Sequence, residues 1–159
     1  MLDPSAYGPA VAALLVPRVP DLGPGTPNVA VRDLLARLDI TPACAAGLWL
    51  YHDYLDESHA ISQDLPTAEG SFWHAILHRR EPDAANSKYW WRQVGAHPVL
   101  DQLREQCPAL GYTYTTPAAF VDCCERVRGS GTADEEVAKR VQLLEWQLLF
   151  DHCYRKTFG

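Results

Sequence analysis

The chain has 159 residues, a length that suits one domain in which folding buries about 70% of the unfolded chain's surface. Hydrophobic residues make up 47% of the sequence and charged residues 21%, which is typical of a globular protein. The formal net charge of −6 argues against a nucleic-acid partner, because binding to phosphate backbones depends on clustered Lys and Arg.

The N-terminal segment, 1–28, is predicted to form a short helical arm and an irregular connector. Apolar spacing predicts a helix around Ser5–Val16, and the stretch 17–28 then contains four prolines and two glycines. Asp3 stands where a secretory signal carries basic residues, and no apolar run approaches the ~20 residues needed to span a bilayer. These features favour a cytoplasmic protein with no membrane partner.

The rest of the chain, residues 29–159, is predicted to form a helical core, so that residues 1–159 make a single all-α helical bundle. The only strand-like run, Tyr112–Thr116, has no partner strand. Apolar spacing and end signals predict helices over residues 29–38, 42–63, 68–80, 84–94, 98–107, 117–128 and 133–157. The residues expected to cap or stop them are Asn28, Thr41, Thr67, Asp83 and Gly95. The wide apolar surface of the last helix is compatible with a homodimer.

A faint internal repeat predicts antiparallel helical hairpins. When the run 52–59 is laid over the run 81–88, Ser58 falls opposite Ser87, each near the start of the second helix of a pair. Such pairs resemble tetratricopeptide or Sel1-like units, and the run 87–92, SKYWWR, looks like the A-x-Y-W-Y-R phrase of Sel1 repeats. Since a repeat array normally needs three or more units, the likeness predicts local hairpins rather than a solenoid.

Residues 70–98 have the most unusual composition in the chain. They hold three histidines, three tryptophans and three arginines around one predicted helix–turn–helix, where ordinary hairpins carry Ala, Leu, Glu and Lys. Four cations and two acids leave this segment at +2 in an acidic protein. Such a basic island could attract a small anion, although surface cations paired with neighbouring acids would account for it equally well.

The spacing of histidines in this segment allows a divalent metal ion to bind. His74, His78 and Glu81 fall on one narrow arc of a helix, where side chains three or four residues apart are about 5–6 Å from each other. Asp56 and His59 form a similar pair on the preceding helix. A zincin motif is excluded because Ala follows His74. The candidate metal ligands are His74, His78, His59 and Asp56, and a metal-free polar site and a solvated helix face remain as alternatives.

The second helix of the hairpin adds aromatic and amide groups that suit ligand recognition. The candidate ligand-binding residues are His74, His78, Arg79, Glu81, Asp83, Asn86, Tyr89, Trp90, Arg92 and His97. For an enzyme, the acid or base would be His74 or His78, oriented by Glu81 or Asp56, with Arg79 or Arg92 as an anion clamp. The alternatives are core tryptophans and an internal ion-pair network of Arg79, Arg80, Glu81 and Asp83. No catalytic residue is assigned.

The same segment also resembles a known group of sequences. The run 69–83, EGSFWHAILHRREPD, continues through Asn86, Tyr89, Trp90 and Arg92 to the final VGAHP. It is similar to an uncharacterised family of small bacterial and fungal proteins with the signature EGSxWHAIxHRxEPDxxNxxYWxRxVGxHP. The resemblance implies that the polar residues of this run belong to a family signature, and it implies no activity.

Together these patterns predict a polar-aromatic pocket between the hairpin 68–95 and a helix over residues 43–63. We expect it to bind a small molecule, either anionic or associated with a metal. The alternative is a helical-repeat-like module that binds a protein partner and has no catalytic activity.

Overall fold

The computed structural model describes residues 2–159, which fold into helices joined by turns and loops and contain no strand. The all-α prediction is therefore confirmed. The α-helices are α1 Gly8–Ala12, α2 Arg32–Arg37, α3 Pro42–Tyr51, α4 Leu55–Ser62, α5 Ala68–Arg80, α6 Ala84–Val94, α7 Pro98–Gln106, α8 Pro117–Val127 and α9 Ala133–Phe158. Short 3₁₀ turns lie at Pro4–Tyr7, Val29–Val31 and Cys107–Leu110. Among these helices, none has both the length and the apolar character that a bilayer crossing requires.

Two helical hairpins, α3–α4 and α5–α6, follow the same plan. The turn between α3 and α4 is as long as the turn between α5 and α6. In each hairpin a buried serine of the second helix donates a hydrogen bond to a carbonyl of the first, Ser58 to Ala46 at 2.8 Å and Ser87 to Ala75 at 2.7 Å. The small, fully buried serines let the paired helices approach closely. The faint repeat in the sequence thus corresponds to a structural repeat of two hairpins.

The prediction of a single helix over residues 42–63 is wrong, because a turn separates α3 from α4. Asp53 adopts a φ of 66°, in the left-handed region that a non-glycine residue enters at a cost of about 1–3 kcal/mol. Its two carboxylate oxygens bind Arg18 at 2.6 Å and Arg80 at 2.5 Å. These ion pairs hold the break and allow α4 to fold back along α3.

The capping signals of the central hairpin are confirmed. Thr67 accepts a hydrogen bond from the Gly70 backbone N–H at 3.1 Å, and Asp83 accepts one from Asn86 at 3.2 Å. Gly95 ends α6 with a φ of 64°, which glycine adopts without strain. Local sequence signals therefore set both ends of the segment that carries the candidate site.

The sequence signals near the N-terminus predict the helix ends less accurately. Asn28 and Thr41 cap no helix with their side chains, and a 3₁₀ turn replaces the first turn of the helix expected at residues 29–38. The helix expected around Ser5–Val16 is shortened to α1. The N-terminal arm packs into the core, where Tyr7 donates a hydrogen bond to Asp151 of α9 at 2.6 Å.

A fully buried ion pair joins α5 to the long helix α9. Arg79 donates to Glu145 at 2.6 and 3.1 Å and to the side-chain oxygen of Gln142 at 3.2 Å. Neither Arg79 nor Glu145 is exposed, and the guanidinium also lies 4.7 Å from the centre of the Phe120 ring. The pair is a long-range connection inside the core, because its two residues are far apart in the sequence.

We predict that Glu145→Ala lowers the free energy of unfolding by about 3–5 kcal/mol, because it leaves the Arg79 guanidinium buried without its counter-charge. Urea denaturation followed by circular dichroism measures the loss. The double variant Arg79→Met, Glu145→Leu removes both charges and should cost less. A double variant as unstable as Glu145→Ala would show that the unpaired charge is not the cause.

Candidate functional site

Three histidines from two helices meet on one side of the α5–α6 hairpin. His74 and His78 lie one turn apart on α5, and α4 packs against α5 so that His59 joins them. One ring nitrogen from each residue lies within 4.8 Å of the other two. The ring centres are 4.7 Å apart for His59 and His74, 5.4 Å for His59 and His78, and 4.6 Å for His74 and His78. We call this group the triple-histidine cluster.

The cluster is largely shielded from solvent. His74 is 3% and His78 6% exposed, whereas His59 is half-buried. Burial, followed by repulsion from His78 and His59, lowers the pKa of His74 to about 4, so that its ring is neutral at pH 7. Its Nδ1 is buried and has no hydrogen-bond partner among the described residues. A buried polar atom without a partner is uncommon in folded proteins.

A carboxylate orients the second histidine of α5. His78 Nδ1 lies 2.7 Å from Glu81 Oε2, and since an ionised carboxylate can only accept, Nδ1 carries the proton. The lone pair of the neutral ring is then on Nε2. Metal-binding histidines commonly have this arrangement, with a carboxylate behind the ring. The Asn86 side-chain amide, 3.3 Å away, donates to the same Nε2 and would compete with a metal ion for it.

Aromatic residues of α6 cover the cluster. Trp90 stacks on His74 with the ring centres 3.9 Å apart and the planes inclined by 18°. Tyr89 packs edge-on against Trp90 and remains half exposed, at 47%. The indole therefore excludes water from one face of His74, which accounts for part of the burial that keeps this ring neutral.

Other residues expected in the same pocket lie elsewhere. Arg79 is in the core, paired with Glu145, and Arg92 is exposed on the opposite face of α6. Asp56 is exposed and belongs to none of the potential metal-ligand groups of the described chain. Asp83 caps α6, and its carboxylate approaches His78 and Glu81 only at the exposed edge of the cluster. The convergent set is thus smaller than the sequence suggested.

His97 belongs to a second cluster, beside a cleft of about 650 Å³. There Glu69 Oε1 accepts hydrogen bonds from His152 Nε2 and Lys156 Nζ, both at 3.1 Å, and lies 3.7 Å from His97 Nε2. Sequence reasoning missed Glu69 and His152. They lie on α5 and α9, far apart in the sequence, and no local pattern connects them.

The two clusters differ in which ring nitrogen of the histidine carries the proton. His97 Nδ1 caps α7 by accepting the Val99 backbone N–H at 3.2 Å, so the proton of the neutral ring must be on Nε2. That atom lies 3.7 Å from Glu69 Oε1 and makes no hydrogen bond in the described structure, and as an N–H it has no lone pair for a metal. The second cluster is therefore centred on a buried carboxylate that accepts hydrogen bonds from His152 and Lys156, whereas His78 Nε2 in the triple-histidine cluster carries a lone pair, to which the Asn86 amide donates.

The pKa of Glu69 agrees with an ionised carboxylate that accepts hydrogen bonds. Burial alone raises its pKa, but hydrogen bonds from its own backbone N–H, from Lys156 and from His152 outweigh burial and lower the pKa to about 2. The carboxylate is only 7% exposed. It joins the start of α5 to the end of α9 as a charged structural contact.

Comparisons with known proteins identify no relative: no protein family, curated protein or solved structure matches the chain. The function must therefore be inferred from the chemistry of the side chains described above.

We predict that Glu69 stabilises the fold in a pH-dependent way. Its pKa is lower in the folded state than the ordinary 4.5, so the stabilisation is complete above about pH 4.5 and is lost as the pH falls toward 2. Thermal unfolding from pH 7 to pH 2.5 should show Glu69→Gln less stable by on the order of 2 kcal/mol at pH 7, with the difference shrinking below pH 4.5.

The exposed acid Asp33 provides the matched control, because Asp33→Asn removes a carboxylate that has no ion pair in the described structure. A Glu69→Gln deficit that stays constant across the whole pH range would contradict the ionic role of Glu69.

Proposed function

We propose that this domain binds one divalent transition-metal ion, zinc by preference, through His59, His74 and His78. The proposal is carried by one observation: three imidazole nitrogens lie within 4.8 Å of one another. The buried Nδ1 of His74, which has no partner in the described structure, supports it. A solvated helix face would instead leave each histidine in contact with water. The low pKa of His74 supports metal binding, since a neutral imidazole binds a metal without first losing a proton.

Ligand type and geometry favour zinc. Imidazole suits zinc, copper, nickel and iron, and zinc accepts a compact tetrahedral site without a preference imposed by its d electrons. Zinc–nitrogen bonds of about 2.0–2.1 Å place neighbouring ligand atoms about 3.3 Å apart. The three nitrogens, all within 4.8 Å of one another, would adjust to this spacing on binding. His59 can make most of that movement, because it is the least buried of the three.

The number of protein ligands indicates what the metal would do. Within the described chain no fourth His, Cys, Asp or Glu joins this group. Structural zinc sites normally have four protein ligands, whereas catalytic sites have three and leave one position for water. Zinc lowers the pKa of such a water to about 7 and supplies hydroxide for hydrolytic chemistry. Glu81 would act behind His78, holding the ring with Nε2 toward the ion.

A protein-interaction module is the second candidate, and the repeated hairpins favour it. Stacked helical pairs commonly present binding surfaces. However, the aromatic residues expected to dock a partner are engaged within the chain: Trp91 is only 5% exposed and Trp90 stacks on His74. Metal binding is therefore the better-supported proposal.

The test is a zinc titration of chelator-treated protein by isothermal calorimetry. We expect one equivalent of zinc to bind, with His59→Ala weakening the affinity more than about 100-fold through loss of one ligand. Cobalt substitution should give the intense visible absorption of a four-coordinate centre in the wild type and not in His59→Ala. Since His59 is half-buried, its replacement should leave the fold intact, which circular dichroism checks.

His152→Ala is the matched control, because His152 is also a half-buried histidine but belongs to the Glu69 cluster. It should retain full zinc affinity. Loss of zinc binding in His152→Ala with retention in His59→Ala would move the metal to the other cluster and overturn the proposal.

We further predict that Glu81→Gln weakens zinc binding about 10–100-fold without changing its stoichiometry, because the carboxylate orients His78 and makes its ring a better donor. Competition with a chromophoric chelator measures the affinity. The exposed Asp64, which forms no ion pair in the described structure, gives the control Asp64→Asn with the same loss of charge. Equal affinities for the two variants would exclude a specific role for Glu81.

A further inference from the structure

A basic cleft lies on the other side of α6, where α6, α7 and α8 meet. Its volume is about 360 Å³, near the lower limit for pockets that hold small molecules. Three cationic residues line it, Lys88 and Arg92 from α6 and Arg104 from α7. No acidic residue of the described chain lines the cleft, although acids outnumber cations in the sequence by 20 to 14. The lining of the cleft is therefore basic in a protein that is acidic overall.

Acidic side chains pair with only two of the three cations of the cleft. Lys88 pairs with Asp122 at 2.6 Å and Arg104 with Asp101 at 2.8 Å, so both cations have an acid beside them. Arg92 has no salt bridge in the described part of the chain, and its guanidinium lies 5.9 Å from the centre of the Tyr89 ring. Arg92 is therefore the cation of this cleft without an acid beside it, and a bound anion would supply its counter-charge.

Two further features of the cleft suit an anion that carries an apolar group. The first residues of α8, Pro117 and Ala118, line the cleft, so that the positive end of the helix dipole is at its wall. Trp91 and Leu100 supply apolar surface. Trp91 is only 5% exposed, and its indole Nε1 is a buried donor with no partner in the described chain.

We propose that this cleft binds the phosphate group of a small phosphorylated molecule, with the rest of that molecule against Trp91 and Leu100. A phosphate group presents three acceptor oxygens to the donors of this cleft, whereas a carboxylate presents two. The arginine fork of Arg92 can donate two hydrogen bonds to adjacent phosphate oxygens. Lys88 and Arg104 add charge from either side of the cleft.

The phosphate cleft is independent of the proposed metal site. Asn86 and Trp90 are one turn apart on α6 and contact the triple-histidine cluster. Lys88 and Arg92, also one turn apart, line the cleft on the opposite face. Either site can therefore be wrong without affecting the other, and experiments on chelator-treated protein separate them.

The experiment is a titration of chelator-treated protein with phenyl phosphate, followed by chemical shifts of backbone amides at physiological ionic strength. We expect shifts concentrated at the start of α8 and around residue 91, and binding weakened about ten-fold in Arg92→Gln. Arg140→Gln is the matched control, because Arg140 is exposed on α9, outside the cleft, and loses the same charge. The control should bind as the wild type does.

Benzoate and inorganic phosphate complete the test. Benzoate, which has the same ring and one negative charge, should bind more weakly than phenyl phosphate, and inorganic phosphate should bind without contacting Trp91. Equal binding of benzoate and phenyl phosphate would overturn the assignment to phosphate. Equal weakening by Arg92→Gln and Arg140→Gln would show only general charge attraction and would overturn the site itself.

Discussion

The buried charges at the end of α5 are the constraint on which the structure depends. Arg79 and Arg80 are consecutive, fully or almost fully buried, and directed to different parts of the molecule. Arg79 pairs with Glu145 in α9, and Arg80 binds Asp53 and the carbonyls of Gly23 and Leu50. A buried guanidinium without these partners would be strongly destabilising. The last turn of α5 is therefore held in one position relative to the rest of the fold.

This constraint positions the candidate metal site. His78 immediately precedes the two arginines, and Glu81 follows them at the end of the helix. Since the arginines point into the core, His74 and His78 are directed toward α4 and α6, where His59 and Trp90 meet them. Arg79 and Arg80 therefore stabilise the fold, and the histidines of the same helix form the candidate metal site.

The two histidine clusters show why proximity alone does not define a metal site. Both bring three possible ligands within 4.8 Å. They differ in the partner of Nδ1: a carboxylate acceptor behind His78 leaves Nε2 with a lone pair, whereas a backbone donor at His97 places the proton on Nε2. The hydrogen bond on the far side of the ring therefore favours the triple-histidine cluster as the proposed metal site.

Sequence alone determined the helical class, the ends of α5 and α6 and the repeat that pairs Ser58 with Ser87, because apolar spacing and capping act within a few residues. The placement of His74 and His78 on one helix face followed from the same local geometry. Only the tertiary structure decided that Arg79 meets Glu145, that Glu69 meets His152 and that Asp53 breaks a helix. Each of these contacts joins residues that are distant in sequence, and which charges become buried together depends on how the whole chain packs.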